Sequence, residues 1–200
     1  MRRFVVIGQR ARASPDFLLA DIPSTSGRLD VLLRCLRAAL LVSHGVRRDA
    51  IVYLCLLGDP ERVRTLRFDG PAAKYMRPDE RSLATVVKKA LATPCETSFI
   101  PVRNGISIAA GGPERVWSEL ADSALYVLEE GAPDLRGAAL EATRSAAFVI
   151  GDHLGLPASV REALAVRGAC PVSVGPVSLH AEDVITLVSN ELDRRAHDGT

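Results

Sequence analysis

Aromatic residues make up only 4% of this 200-residue chain, and lysine fills only three of its 25 basic positions. One tryptophan, Trp117, and three tyrosines, Tyr53, Tyr75 and Tyr126, are too scattered to form the regular stacking surface of an RRM-like domain. The four cysteines, Cys35, Cys55, Cys95 and Cys170, include no closely spaced pair, and His44, His153, His180 and His197 make no short-range pair. No metal site is therefore expected. The longest apolar run, residues 50–57, falls far short of the roughly 18 residues that span a bilayer. Only four apolar residues separate Arg3 from Gly8, too few for a secretory signal. The expectation is a cytoplasmic protein without a membrane partner. Three glycine signatures are missing as well: G-x-G-x-x-G after the first strand, G-x-x-x-x-G-K-[ST], and G-x-S-x-G. Their absence argues against a Rossmann site or the common methyltransferase glycine loop, against a P-loop, and against a hydrolase elbow.

What is present reads as one globular domain over residues 1–200, with 48% hydrophobic and 24% charged residues. Short apolar runs at 3–7, 50–57, 124–128, 146–150 and 171–174 predict strands, and 64–68 a further short one. The run at 50–57 has no polar alternation, the pattern of a strand buried on both faces. Helical periodicity marks residues 28–43, where Leu29, Leu32, Leu33, Leu36 and Leu40 share a face and Gly45 supplies the stop. Helices are also expected from 78 to about 91, over 114–120, over 157–166, and from about 179 to the end, where Ala181, Val184, Ile185, Val188 and Leu192 share a face. Residues 93–112 read as short strands and loops. Strands alternating with helices give an α/β domain with a mostly parallel sheet.

Such sheets bind ligands outside the carboxyl ends of their strands. Three strand ends carry glycine: Leu128 before Glu129-Glu130-Gly131, Ile150 before Gly151-Asp152-His153, and Val174 before Gly175-Pro176. Glycine permits close backbone approach to a ligand, although ordinary turns use it too. On the first long helix Asp30, Arg34 and Arg37 share one face and Arg28 stands at its start. The helix is otherwise apolar almost all round, so these charges are expected in a crevice or at an interface. Residues 1–100 carry 17 basic and 10 acidic side chains, a balance of +7, and residues 101–200 carry 8 and 14, a balance of −6. That asymmetry is compatible with one surface meeting a polyanion.

Six blocks in order carry a resemblance. They are Phe4-Val5-Val6-Ile7-Gly8; Gly27-Arg28-Leu29-Asp30-Val31-Leu32-Leu33-Arg34-Cys35; Leu41-Val42-Ser43-His44-Gly45-Val46-Arg47-Arg48-Asp49; Pro78-Asp79-Glu80-Arg81-Ser82; Phe148-Val149-Ile150-Gly151-Asp152-His153; and Val174-Gly175-Pro176-Val177-Ser178-Leu179-His180-Ala181. Together they resemble the archaeal tRNA pseudouridine N1-methyltransferases, the TrmY family of SPOUT enzymes. The resemblance implies a SPOUT-type, mostly parallel sheet with a C-terminal trefoil knot. It implies a homodimer that binds S-adenosylmethionine and methylates N1 of pseudouridine in the T-loop of tRNA. Carried over by position, the cofactor contacts fall at Leu128, Gly151, Val174, Gly175, Pro176, Val177, Ser178, Leu179 and Val184. The family often has cysteine in place of Val184, and a histidine pair where this chain has His180 and Asp183. Asp30 is the candidate base, with Arg28 or Arg34 orienting the uracil ring or a phosphate. Arg28, Arg47, Arg48 and Arg81 are expected on the RNA surface. A small free nucleoside is the alternative substrate, and a non-catalytic RNA-binding protein is the second alternative.

Overall fold

The computed structural model describes residues 1–140 and 145–198. Its centre is an eight-stranded sheet. The strands are β1 (Arg2–Gly8), β4 (Ala50–Leu56), β5 (Arg64–Asp69), β6 (Ile100–Arg103), β7 (Ile106–Ala110), β8 (Ser123–Leu128), β9 (Ser145–Gly151) and β10 (Cys170–Val172). Across the sheet the order is β10-β8-β9-β1-β4-β5-β7-β6. Pairing is parallel from β10 through β8, β9 and β1 to β4. Beyond β4 it is antiparallel through β5, β7 and β6. The sheet is thus mostly parallel as expected, with a three-stranded antiparallel extension on one side.

The unbroken apolar runs are explained by burial on both faces. Alternate residues of β1 and β4 divide between two cores. Phe4, Val6, Val52, Leu54 and Leu56 join the larger one, beneath α2 (Leu29–Leu40), α3 (Glu80–Leu91) and α5 (Ala181–Asp198). Val5, Ile7, Ile51, Tyr53 and Cys55 face the other, covered by α4 (Ala158–Val166) through Val160 and Leu164, and by Val116 and Leu120. No helix among the described residues is long and apolar enough to cross a membrane.

The last strand, expected over 171–174, is observed as β10 over 170–172, and three other stretches differ further. The helix expected over 28–43 ends at Leu40, because residues 41–46 turn back as a hairpin of β2 (Leu41–Val42) and β3 (Gly45–Val46), closed by the Arg47 amide on the Leu40 carbonyl at 2.7 Å. The helix expected over 114–120 is only a 3-10 turn, Pro113–Arg115, followed by further turns. Its bonds mostly run from i+3 to i, as from Val116 to Pro113 and Glu119 to Val116, the pattern of a piece too short to nucleate an α-helix. A four-residue helix, α1 (Ile22–Thr25), lies in the polar, proline-bearing stretch between β1 and α2, for which no element was expected.

The final helix, α5, packs back across α2. Its apolar residues Ile185 and Val188 are wholly buried in the same core as α2. The two helices therefore cover one another's apolar faces. Buried Arg2 fastens α5 to the sheet: it donates to the Ser189 carbonyl at 3.0 Å, to Asp193 at 2.7 Å and to Asp49 at 2.6 Å. Arg47 adds two bonds to Asp193, at 2.8 and 3.0 Å. Burial works to raise the Asp193 pKa, but the bonds from Arg47 and Arg2 outweigh it and hold the carboxyl below its ordinary value. The stability it contributes is present above the unfolded carboxyl value of 3.8 and is lost as the pH falls through the folded one. Arg2→Met should destabilise the fold by about 2 kcal/mol, less than a fully buried pair because both carboxylates keep solvent contact. Urea unfolding at pH 7 and at pH 3 checks this, and the difference between the proteins should narrow at the lower pH.

Candidate active site

Parallel pairing brings the carboxyl ends of β8, β9 and β10 to one edge. Val172 pairs with Leu128, Val127 with Val149, and Ile7 with Gly151. Beyond these ends lies a cleft of about 760 Å³, within the size range of small-molecule sites. Its sheet side is formed by Leu128, Ile150, Gly151 and Val172, and one wall by Ser173, Val174, Gly175, Val177, Ser178 and Leu179. Val184 and Glu182 close it from α5, and Arg28, Val31 and Arg34 from α2. The structure thus gathers every expected cofactor contact except Pro176, which turns to a smaller neighbouring hollow together with Val174 and Gly175. His153 and His180 line the cleft, and Asp183 does not.

The glycines at the strand ends do different work. A Cβ on Gly151 would overlap the carbonyl oxygen of Gly155, so the turn after β9 closes only because residue 151 has no side chain. That turn is held from β1. Gln9 donates its amide to buried Asp152 at 2.8 Å and its side chain to the carbonyls of Leu154 and Gly155 at 3.2 and 3.0 Å. Gly175 has φ +149 and no atom within 4 Å of where its Cβ would stand. L side chains rarely adopt that backbone conformation, so a side chain there would strain the turn even though the space around it is open.

The mouth is set by charge. The chain reaches α2 through Gly27 and Arg28, both with positive φ, 66° and 69°. The conformation is uncommon for arginine. It is fixed because Gly27 packs against the Arg10 carbonyl and buried Ser26 receives the Leu29 amide at 3.1 Å. From there Arg28 grips Asp30 with two bonds, at 3.0 and 3.1 Å. Arg34 donates to Asp30 at 3.0 Å and to Glu182 at 2.8 Å, tying α2 to the start of α5. Asp30 is 3% exposed and lies beneath the cleft rather than in its lining. Burial pushes its pKa up, but the bonds from Arg28 and Arg34 outweigh burial and hold the carboxyl below its ordinary value. A carboxylate so held is a weak proton acceptor.

Two groups of the cleft lining, Glu182 and Arg161, which pairs with Glu129, went unmarked in the sequence, as did Gln9, which supports one of its turns. Their partners lie 32 to 148 residues away, and only the fold joins them. Of the arginines expected on an RNA surface, Arg28 lines the cleft and Arg81 is exposed. Arg47 and Arg48 are a correction. Arg47 is bound to Asp193, and Arg48 donates to the carbonyls of Gly70, Pro71 and Ala73 at 2.9, 3.2 and 3.0 Å. Arg47 is held half-buried within the fold, and Arg48, though exposed, is tied to the loop it supports.

Residues 1–197 match the family described as "Putative SAM-dependent RNA methyltransferase". The chain belongs to this family. It is 40% identical over 194 residues to the tRNA (pseudouridine(54)-N(1))-methyltransferase of Methanosarcina acetivorans, covering 97% of this chain and 92% of that one. With the protein of the same name from Halobacterium salinarum it shares 40% identity, over 99% of both chains. The crystal structure of Archaeoglobus fulgidus Nep1 bound to S-adenosylhomocysteine matches with a TM-score of 0.68 over 98% of both chains, at 14% identity, a likeness of fold. For a SAM-dependent methyltransferase with this cleft, both glycines should resist substitution, for different reasons. Gly151→Ala should cost about 2 kcal/mol through the forced overlap. Gly175→Val should cost about 1–3 kcal/mol through backbone strain and, at a temperature where it stays folded, bind S-adenosylmethionine at least tenfold more weakly, as calorimetric titration would show.

Proposed function

We propose that this protein transfers a methyl group from S-adenosylmethionine to N1 of pseudouridine 54 in the T-loop of tRNA. The observation that carries this reading is likeness to relatives of that name along nearly the whole chain. The cleft supports it. Apolar Leu128, Ile150, Leu156, Val172, Val174 and Val184 suit an adenine ring; of the acids in the lining Glu129 and Glu182 are paired with Arg161 and Arg34, which leaves Glu130 and Asp152 as carboxylates suited to a sulfonium and an amino group. The residues present therefore fit the cofactor. Leu128, Gly151, Val174, Gly175, Val177, Ser178, Leu179 and Val184 would hold it, with Pro176 shaping the turn from outside. When bound, the cofactor supplies an electrophilic methyl group and leaves as the neutral thioether.

The chain's own part is positioning. Arg28, fixed by Asp30, presents its guanidinium to the cleft, where it can orient a pyrimidine carbonyl or a phosphate. Arg34 is held between Asp30 and Glu182 and keeps the mouth in register. Asp30 acts through these arginines, and its geometry favours positioning over the base role expected from the sequence. A target base must leave its stack to enter such a cleft. The TrmY and SPOUT assignment, and with it the trefoil knot, is part of this reading. It is supported by the chain's course after β10: Ser173 bonds Pro133 and Leu135 before α5 returns across α2. A homodimer is part of it too, supported by the exposed apolar side chains Leu154, Val177 and Leu179 near the cleft.

Incubation with labelled cofactor, a tRNA pool and free pseudouridine, followed by nucleoside mass spectrometry, tests the reaction. Label at N1 of pseudouridine in tRNA is expected, from a species of two-subunit mass in light scattering. Label on the free nucleoside alone would favour a small substrate, and RNA binding without transfer a non-catalytic protein. Asp30→Asn should lower kcat about tenfold or more while the acid limb of the pH–rate profile stays in place. Disappearance of that limb would restore Asp30 as the base.

A further inference from the structure

Outside the lining of the cleft, residues 71–79 form a loop that projects Tyr75 into solvent. The ring is 91% exposed, the most exposed large hydrophobic side chain among the described residues. Tyr75 and Arg28 are the two non-glycine residues with positive φ among the described residues, at 56° and 69°. For a bulky residue this backbone is unfavourable, and such strain persists only where the surroundings impose it. Here they do. Arg48 grips the carbonyls of Gly70, Pro71 and Ala73 from below, and Arg103 takes the Lys74 carbonyl at 2.9 Å. Gly105 lies so close to Ala73 that a Cβ would overlap its backbone. With these carbonyls held, Ala73 and Met76 face inward and Lys74, Tyr75 and Arg77 are turned out.

Those side chains are basic around the ring. Lys74, Arg77, Arg81 and Arg103 are all exposed. The acidic residues between them face other partners. Asp79 caps α3 by accepting the Ser82 amide at 2.8 Å, and Glu80 stands 4.0 Å from Arg34. That last approach also fixes the loop's place, because Arg34 lines the cleft. Tyr75 lies five residues from Glu80 along the chain, at most about 17 Å of extended backbone.

We infer that Tyr75 is a stacking platform for an unpaired nucleobase of the RNA substrate, flanked by Lys74, Arg77 and Arg81 as phosphate contacts, beside the mouth of the cleft. A lone exposed aromatic ring with cations around it suits single-stranded RNA, since every base offers a π-face. The inference rests on the RNA reading of the cleft and adds a second point of attachment to it, one nucleotide held outside while another enters.

The test compares wild type, Tyr75→Phe, Tyr75→Ala and the double change Arg77→Ala/Arg81→Ala, with tRNA and S-adenosylmethionine titrated separately. Tyr75→Ala should raise the tRNA Kd and KM about tenfold, in the range expected for removing one base stack, and leave cofactor affinity and melting temperature unchanged. Tyr75→Phe should keep near-wild-type values. The double arginine variant should lower the slope of log affinity against log salt by roughly 0.7–0.9 for each phosphate no longer neutralised. Unchanged tRNA affinity in Tyr75→Ala, or an equal loss in Tyr75→Phe, would overturn the inference. Wild-type protein that binds tRNA through Tyr75 without methylating it would leave this inference standing and overturn the enzymatic reading instead.

Discussion

Parallel pairing of β1 with β9, β9 with β8 and β8 with β10 is the constraint on which the site depends. Parallel strands end on the same side, so three turns far apart in the chain must meet at one edge. The two-sided apolar character of β1, β4 and β9 makes this pairing stable, because each strand feeds a core on either face. The turns are then free to serve a ligand. Gly151 lets one of them close on Gly155, and Gly175 leaves the other open. What remains is to bring a wall over this edge, and α5 does so by returning across α2.

Electrostatics hold that wall in place and account for much of the contrast between the halves of the chain. Arg2 and Arg47 in the basic half bind Asp193 in the acidic half, and Arg34 binds Glu182. Tyr53 and Arg67 likewise meet Glu119. The asymmetry thus records intramolecular pairing across the fold as well as any polyanion surface. Basic groups left for RNA are fewer than the net charge implies; those around the 71–81 loop and at Arg28 are joined on the surface by Arg10, Arg37, Arg62 and Lys89.

The strand ends were legible because unbroken apolar runs followed by glycine have few other readings in an alternating α/β chain. Residues 124–128 and 146–150 emerged almost at their observed bounds, and the turns after them line the cleft. Asp30 and Arg34 were legible as neighbours because helical spacing is local. Glu182 was not, since an acid in the first turn of a helix reads equally well as a partner of the helix dipole. The hairpin at 41–46 was hidden by an apolar stretch that also suits a helix. β5 was legible as the short run 64–68, whereas β6 and β7, within 93–112, were legible only as unplaced short strands, because their bounds are set by pairing across the sheet rather than by local preference.

Backbone amide mapping with S-adenosylhomocysteine tests the cleft as the cofactor site most directly, because it reads the lining residue by residue without requiring turnover. Saturable chemical-shift changes are expected at Leu128, at 151–155, at 173–181 and at Val184, with 71–79 unmoved until RNA is added. Changes centred on the neighbouring hollow of Arg136, Leu187 and Arg194, or none at millimolar ligand, would contradict that assignment.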